Sequence, residues 1–281
     1  MPPVPKPAVR SPVAGARQPE AGARSRLFAA AFLSVVGLFV AGVLALVIAD
    51  AAYVDLASAR RVLTSPEFRA ALWLSLWTST LTAVLGVAVA APMGYALSRF
   101  RFPGHILIDS IVDLPIILPP LVLGLSLLVF FHTSVGKWIE SLGLTFVYER
   151  RGIVLCQFLV SASFGIRAAK VGFDGVDRRL EDVALTLGAT RAGAFFRVAL
   201  PLARSGLVAG GVLVWARAFG LFGPLIVFVG AVRMRTEVLP TTVYLEQSVG
   251  RLESALVVTL FMLAVAVVAL VVIRSLTDRW L

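Results

Sequence analysis

The ionisable and nucleophilic side chains of this sequence are too scattered to build a covalent active site. His105 and His132 are separated by a whole apolar segment, and the one cysteine, Cys156, lies inside the apolar run 153–160. No His-Glu-x-x-His, no Cys/His cluster and no nucleophile with a nearby base occurs. A Gly-rich loop ending in Gly-Lys-Ser/Thr is also absent, so this chain does not hold ATP in the usual way. The remaining chemistry is electrostatic and conformational. Asp109 and Asp113 open one apolar segment, and Arg217 interrupts another near its middle. A charge there is expensive to bury, so Arg217 should face a bundle interior or water. It either makes a cavity positive or pairs with Asp109 or Asp113, the acids nearest the membrane interior. Pro115, Pro119 and Pro120 remove backbone donors from one segment and should loosen its helix. Such a break is tolerated at membrane depth where the backbone lines a water-filled cavity. Gly124, four residues beyond Pro120, permits close helix approach.

The elements that carry these residues are membrane spans. Of 281 residues, 59% are hydrophobic and 15% charged, with a mean hydropathy of +0.91. Ordinary soluble domains are about 45–50% apolar and about 25% charged, and disordered chains are far more polar. Crossing a hydrocarbon core of about 30 Å takes about 20 apolar residues in a helix. Segments 27–49, 70–96, 106–131, 153–169, 207–229 and 255–273 meet that length approximately, which predicts six spans. The apolar runs are continuous rather than alternating, so they are helices and not barrel strands.

The net charge of +10 is distributed unevenly. With six spans, 16 Lys and Arg fall on the face that holds both termini, nine on the other, and Arg217 lies within a span. The richer face should be cytoplasmic. A basic stripe with interleaved aromatics, the mark of a nucleic-acid surface, is missing, so no nucleic-acid partner is expected. Residues 1–26, with six prolines and five basic residues, read as a disordered cytoplasmic tail before a six-helix transmembrane domain at 27–281. A cleaved signal peptide is the competing reading, but the 23-residue apolar run at 27–49 far exceeds the usual 7–15.

The most informative stretch lies on the cytoplasmic side, between the fourth and fifth spans. Leu180, Val183, Ala184 and Leu187 recur at helical spacing, which predicts a short amphipathic helix ending near Gly188. Glycine suits a tight helix-to-helix turn because it accepts positive φ. Phe195, Phe196 and Val198 begin a second apolar face, and Leu200-Pro201 should kink the chain as it enters the fifth span. A helix–Gly–helix device under the membrane, joined covalently to a span, suits transmission of force from a cytosolic partner.

Asp182-Val183-Ala184, three residues, Gly188, nine residues and then Val198-Ala199-Leu200-Pro201 resembles the cytoplasmic signature of ATP-binding-cassette importer permeases. That signature runs Glu-Ala-Ala, three residues, Gly, nine residues, Ile-x-Leu-Pro; the spacing matches, with Asp for Glu and Val for the first Ala. Two further stretches are similar to the permeases of oxyanion importers for molybdate, tungstate and sulfate. One runs from Asp113 through Pro119, Pro120 and Gly124; the other is Trp215-Ala-Arg217-Ala-Phe-Gly220-Leu-Phe-Gly223. Downstream, Leu239-Pro240 followed by Tyr244 resembles a stretch of the molybdate and tungstate permeases. Leu221 departs from the pattern, because the family often has Glu there, and it leaves Arg217 without an i,i+4 carboxylate.

The resemblance covers about residues 65–281, with the permease core at about 65–275. It implies an all-α membrane protein with six transmembrane helices, the type I ABC importer permease fold and a cytoplasmic coupling helix. Asp182, Val183, Ala184, Gly188, Val198, Leu200 and Pro201 would serve ATPase coupling. Pro119, Pro120, Gly124, Arg217, Gly220 and Gly223 would line or shape the translocation pathway. It further implies a second permease copy in a homodimer, a cytosolic ATPase dimer that binds the ATP, and an extracytoplasmic substrate-binding protein. The chain would sit in the bacterial inner membrane with both termini cytoplasmic, and would carry no cofactor and no catalysis of its own. Sulfate or thiosulfate, iron(III) and polyamine permeases are the alternatives within this superfamily. A secondary transporter is the alternative outside it, but only one broken span, rather than a pair, is legible here.

Overall fold

The computed structural model describes residues 19–278, and among them the regular structure is helical, with no strand. Residues 1–18 of the expected tail lie outside the described residues, and helix α1 (Pro19–Tyr53) takes in residues 19–26. The chain divides into two compact units, Met1–Asp50 and Ala51–Leu281. The first unit is the body of α1, whose stretch Phe28–Tyr53 is apolar around its whole circumference. That pattern belongs to a helix immersed in lipid.

The second unit begins with α2 (Leu56–Thr64), a short amphipathic helix capped by Asp55. Ser65 ends it and also caps α3 (Pro66–Arg99), with proline at the first position, where its missing N–H costs nothing. Then come α4 (His105–Ile117), α5 (Pro120–His132), α6 (Ser134–Ser141) and α7 (Arg150–Asp174). The segment between α7 and the fifth expected span holds α8 (Arg178–Thr186), α9 (Arg191–Ala194), a π-helical turn at Phe195–Ala199 and α10 (Leu200–Leu202). It leads into α11 (Arg204–Phe219), α12 (Gly223–Phe228), α13 (Leu239–Ser248) and α14 (Leu252–Asp278).

Four helices are long and apolar enough to cross a membrane, and six spans result if each of two bent pairs counts as one. The first bend falls in the run where Pro115, Pro119 and Pro120 predict a break, and the second follows Leu200-Pro201, where a kink is expected. The stop after Phe219 is not expected, so two spans are broken rather than one. The expected span 106–131 is split into α4 and α5, which meet at 109°. Leu118 and Pro119 are extended at the junction, because a residue before proline is pushed out of the helical region. The expected span 207–229 is not one helix either. It stops at Phe219, resumes as α12, and is preceded by a 70° bend against residues 191–202. Pro224 accounts for the stop: its ring excludes a continuous helix over the four preceding residues.

The centre of this unit is the trio α3, α7 and α11, with 67% of the best apolar window of α7 buried against 17% for α14. In lipid no hydrophobic force draws helices together, so small residues that let backbones touch decide who packs with whom. Gly172 and Gly206 meet back to back, and a Cβ on either would come within 3 Å of the other's Cα. Gln157 is buried between the three helices. It donates to the Ala218 carbonyl at 3.0 Å and accepts from the Thr82 hydroxyl at 3.1 Å. Ala218 lies in the last turn of α11, where its carbonyl also accepts the Leu221 N–H at 3.2 Å, so Gln157 adds a second bond that ties α7 to the end of α11.

Candidate functional site

The Asp177 carboxylate accepts from the Arg179 N–H at 3.0 Å and starts α8. The outer face of α8 carries Leu180, Val183 and Leu187, which are 48%, 54% and 82% exposed. Three large apolar side chains are thus exposed together over about two helical turns, an arrangement typical of protein–protein contact surfaces. Asp182 is exposed beside them, while Ala184 is half-buried. Gly188 has φ +89°. Its N–H donates to Leu185 and the next N–H, of Ala189, donates to Ala184, both at 3.0 Å. Those two bonds form a Schellman cap, which requires the left-handed conformation at Gly188. Thr190 then caps α9 by accepting from the Gly193 N–H at 3.0 Å.

Val198 lies within the π-turn and Leu200 and Pro201 follow it. Pro201 has no N–H to donate and its ring crowds the preceding turn, so the backbone widens to five-residue bonds, with Leu200 N–H donating to Phe195. Ala199 and Ala203 are buried in the inner core with Phe173 and Val176, which fixes where the segment re-enters the membrane. The coupling residues expected from sequence therefore form one continuous corner, with Gly188 at its apex.

The pathway residues separate into two places. Gly124 on α5 lies against α12, where a Cβ would come 2.6 Å from Pro224 Cα, and a Cβ on Gly223 would lie 3.6 Å from Leu121 Cβ. Pro119 and Pro120 start α5 just before this contact. Gly220 caps the end of α11. Arg217 sits elsewhere, in the last turn of α11, with its guanidinium 5.5 Å from the Phe164 ring centroid. It is not mid-helix as expected, because α11 ends two residues later, and a cation near a helix C-terminus is favourable.

Of the two alternatives for Arg217, the structure does not show the pairing with Asp109 or Asp113. Arg167 on α7 takes both carboxylates, Asp109 at 2.7 Å and Asp113 in a shorter contact, and no acid pairs with Arg217 among the described residues. Asp109 and Asp113 lie four residues apart on one face of α4, a spacing that asks for a single shared cation. Arg217 is exposed on the isolated chain. Leu221 is buried with Leu127, Ile153 and Phe228 in the outer core, so an apolar side chain suits this position.

Three functional groups escaped sequence reasoning. Glu181, beside the signature residue Asp182, is buried on the inner face of α8 against Tyr95 and Arg99 of α3. The signal available was the Tyr95/Arg99 spacing of four, but the partner lies 82 residues from Arg99. Gln157 was hidden within an apolar run. Glu237, between α12 and α13, is 3% exposed and both of its carboxylate oxygens lack a hydrogen bond. Burial pushes its pKa above the usual carboxylate range against the pull of Arg233. A raised carboxyl favours the folded state at low pH and costs stability as pH rises past the unfolded value of about 4.3. Glu237→Gln should therefore raise the melting temperature of the detergent-purified protein at pH 8 while leaving it nearly unchanged at pH 4. A melting temperature lowered equally at both pH values would contradict the raised pKa of Glu237.

The chain matches the family described as the inner membrane component of binding-protein-dependent transport systems over residues 83–281. It is 36% identical over 218 residues to the molybdenum transport system permease protein ModB of Escherichia coli (strain K12), covering 75% of this chain and 93% of that protein. It is 38% identical over 167 residues to the molybdate/tungstate transport system permease protein WtpB of Thermococcus kodakarensis, covering 59% of this chain and 63% of WtpB. Among solved structures, a bacterial ABC transporter involved in import of the acidic polysaccharide alginate superimposes with a TM-score of 0.73 at 17% identity. That superposition covers 92% of this chain and 98% of the other. It establishes the fold as that of type I ABC importer permeases. With the family matched over most of its length, the chain belongs to the inner-membrane components of binding-protein-dependent transport systems.

Proposed function

We propose that this permease carries molybdate or tungstate into the cytoplasm as one half of a homodimeric pathway. Two cytosolic ATPase subunits would hold the α8–Gly188 corner and hydrolyse the ATP, and an extracytoplasmic binding protein would deliver the oxyanion to the outer loops. The observation that carries this reading is Arg217, a cation exposed on the isolated chain in the last turn of α11, directly after the apolar run 207–216, and paired with no acid among the described residues. A guanidinium at the end of an apolar run faces hydrocarbon only at a cost, so here it would face a second copy or a water-filled path. A path with this fixed charge favours small dianions over cations such as polyamines or iron(III). Likeness to ModB and WtpB supports molybdate and tungstate as the cargo. The 16-to-9 distribution of basic residues supports an orientation with both termini and the 177–201 segment cytoplasmic.

The test is uptake of labelled molybdate by bacterial cells that lack their own molybdate permease and express this chain with its ATPase and binding protein. Uptake should appear, and a tenfold excess of tungstate should suppress it while sulfate does not. Suppression by sulfate alone would reassign the cargo to sulfate or thiosulfate.

A further inference from the structure

The upstream and downstream ends of the coupling segment are built differently. Downstream of α8 the chain turns at Gly188 and passes through a π-turn and a 70° bend before reaching α11. Upstream, α8 is fastened to the cytoplasmic end of α3. Arg99 Nε donates to Glu181 at 2.7 Å, with the two side chains only 7% and 10% exposed. The Tyr95 hydroxyl donates to the other Glu181 oxygen at 2.6 Å. Arg99 also donates to the Val176 carbonyl at 2.8 Å, and Ser98 Oγ donates to the Asp174 carboxylate at 2.5 Å. Arg178 donates to the Ser98 carbonyl. The Tyr95 ring packs edge-on against Phe173 and Phe195, at 5.4 and 4.7 Å between centroids.

We infer that Arg99, Glu181 and Tyr95 form a latch that makes α8 and the inner end of α3 one rigid piece, so that displacement of the coupling helix moves α3 directly. This rests on the reading of α8 as the ATPase contact. A buried ion pair suits the task better than an apolar contact of equal area. Apolar surfaces slide past one another at little cost, whereas sliding here would leave two buried charges unpaired. The Lys170–Asp174 pair nearby, at 3.7 Å and largely solvated, holds no such register. The downstream connection runs through a π-turn and a 70° bend, so α11 follows at its own angle while α3 takes the stroke. Arg99 and Glu181 act as positioning residues and touch no substrate.

The experiment uses the complete transporter in proteoliposomes, with ATP hydrolysis and molybdate uptake measured together for Arg99→Gln, Glu181→Gln and the exchanged pair Arg99→Glu/Glu181→Arg. Each single variant should retain the ATPase on co-purification and hydrolyse ATP within about twofold of the parent. Uptake per ATP should fall about fivefold, and the exchanged pair should regain at least half of it. A spin label on α8 and another on the inner end of α3 should keep one narrow distance through the ATP cycle in the parent and broaden in Arg99→Gln. Unchanged uptake per ATP in both single variants would overturn the latch while leaving the ATPase contact standing. Loss of ATPase binding without rescue by the exchanged pair would reduce the cluster to a folding role and overturn it as well. Failure of the parent chain to bind the ATPase would instead refute the underlying reading of α8.

Discussion

Gly188→Val is expected to abolish coupled uptake while leaving the protein abundant in the membrane. The φ of +89° at this position is unfavourable for any residue with a Cβ, by roughly 1–2 kcal/mol, and most so for a branched one. No atom lies within 4 Å of the position a Cβ would take, so the penalty is conformational and not a clash. The spans make no use of this corner and should insert normally. To relieve the strain the valine variant must open the Schellman cap, releasing the Leu185 and Ala184 carbonyls and reorienting Val183 and Leu187. Uptake should fall at least tenfold, with ATP hydrolysis either lost along with ATPase binding or continuing uncoupled. Gly188→Ala should be intermediate, since it meets the same φ without branching. Normal coupled uptake by the valine variant would show that the corner does not transmit the stroke.

The second large effect is expected at Arg217. With no carboxylate partner and a single cation–π contact to Phe164, its removal leaves no buried charge unpaired, so Arg217→Gln should assemble with the ATPase and melt within a few degrees of the parent. Its loss matters to an anion. At roughly 8 Å and an effective dielectric constant near 20, one charge contributes about 2 kcal/mol per unit of opposite charge, and water in the pathway reduces this further. For a dianion, a fall in transport of tenfold or more follows, with lysine restoring part of it. A variant that fails to accumulate in the membrane would assign Arg217 to folding. By contrast, Arg167→Gln should impair accumulation, because it strands Asp109 and Asp113 against each other.

How much of this was legible in sequence follows from which forces leave a local trace. Continuous apolar runs announced α3, α7 and α14, and the helical spacing of Leu180, Val183 and Leu187 announced α8 with its turn at Gly188. These features depend on neighbours within a few residues. Hydropathy did not reveal the stop after Phe219, because residues 220–229 remain apolar; the break comes from Pro224 and the backbone bonds it forbids. Nor did composition show how sharply Leu118 and Pro119 divide the third apolar run. Pairings were illegible for a different reason. Arg99 meets Glu181 across 82 residues, and Arg167 meets Asp113 across 54, so only the fold decides which acid each arginine takes. Asp109 and Asp113 pair with Arg167, not with Arg217, because α4 packs on α7 in the fold.

Accumulation of labelled molybdate in proteoliposomes that contain this chain, its ATPase and its binding protein tests the central claim most directly. Uptake should require ATP inside the compartment where the 177–201 corner is exposed, should persist when ion gradients are collapsed, and should vanish when the binding protein is omitted. Accumulation driven by an ion gradient without ATP would contradict the account.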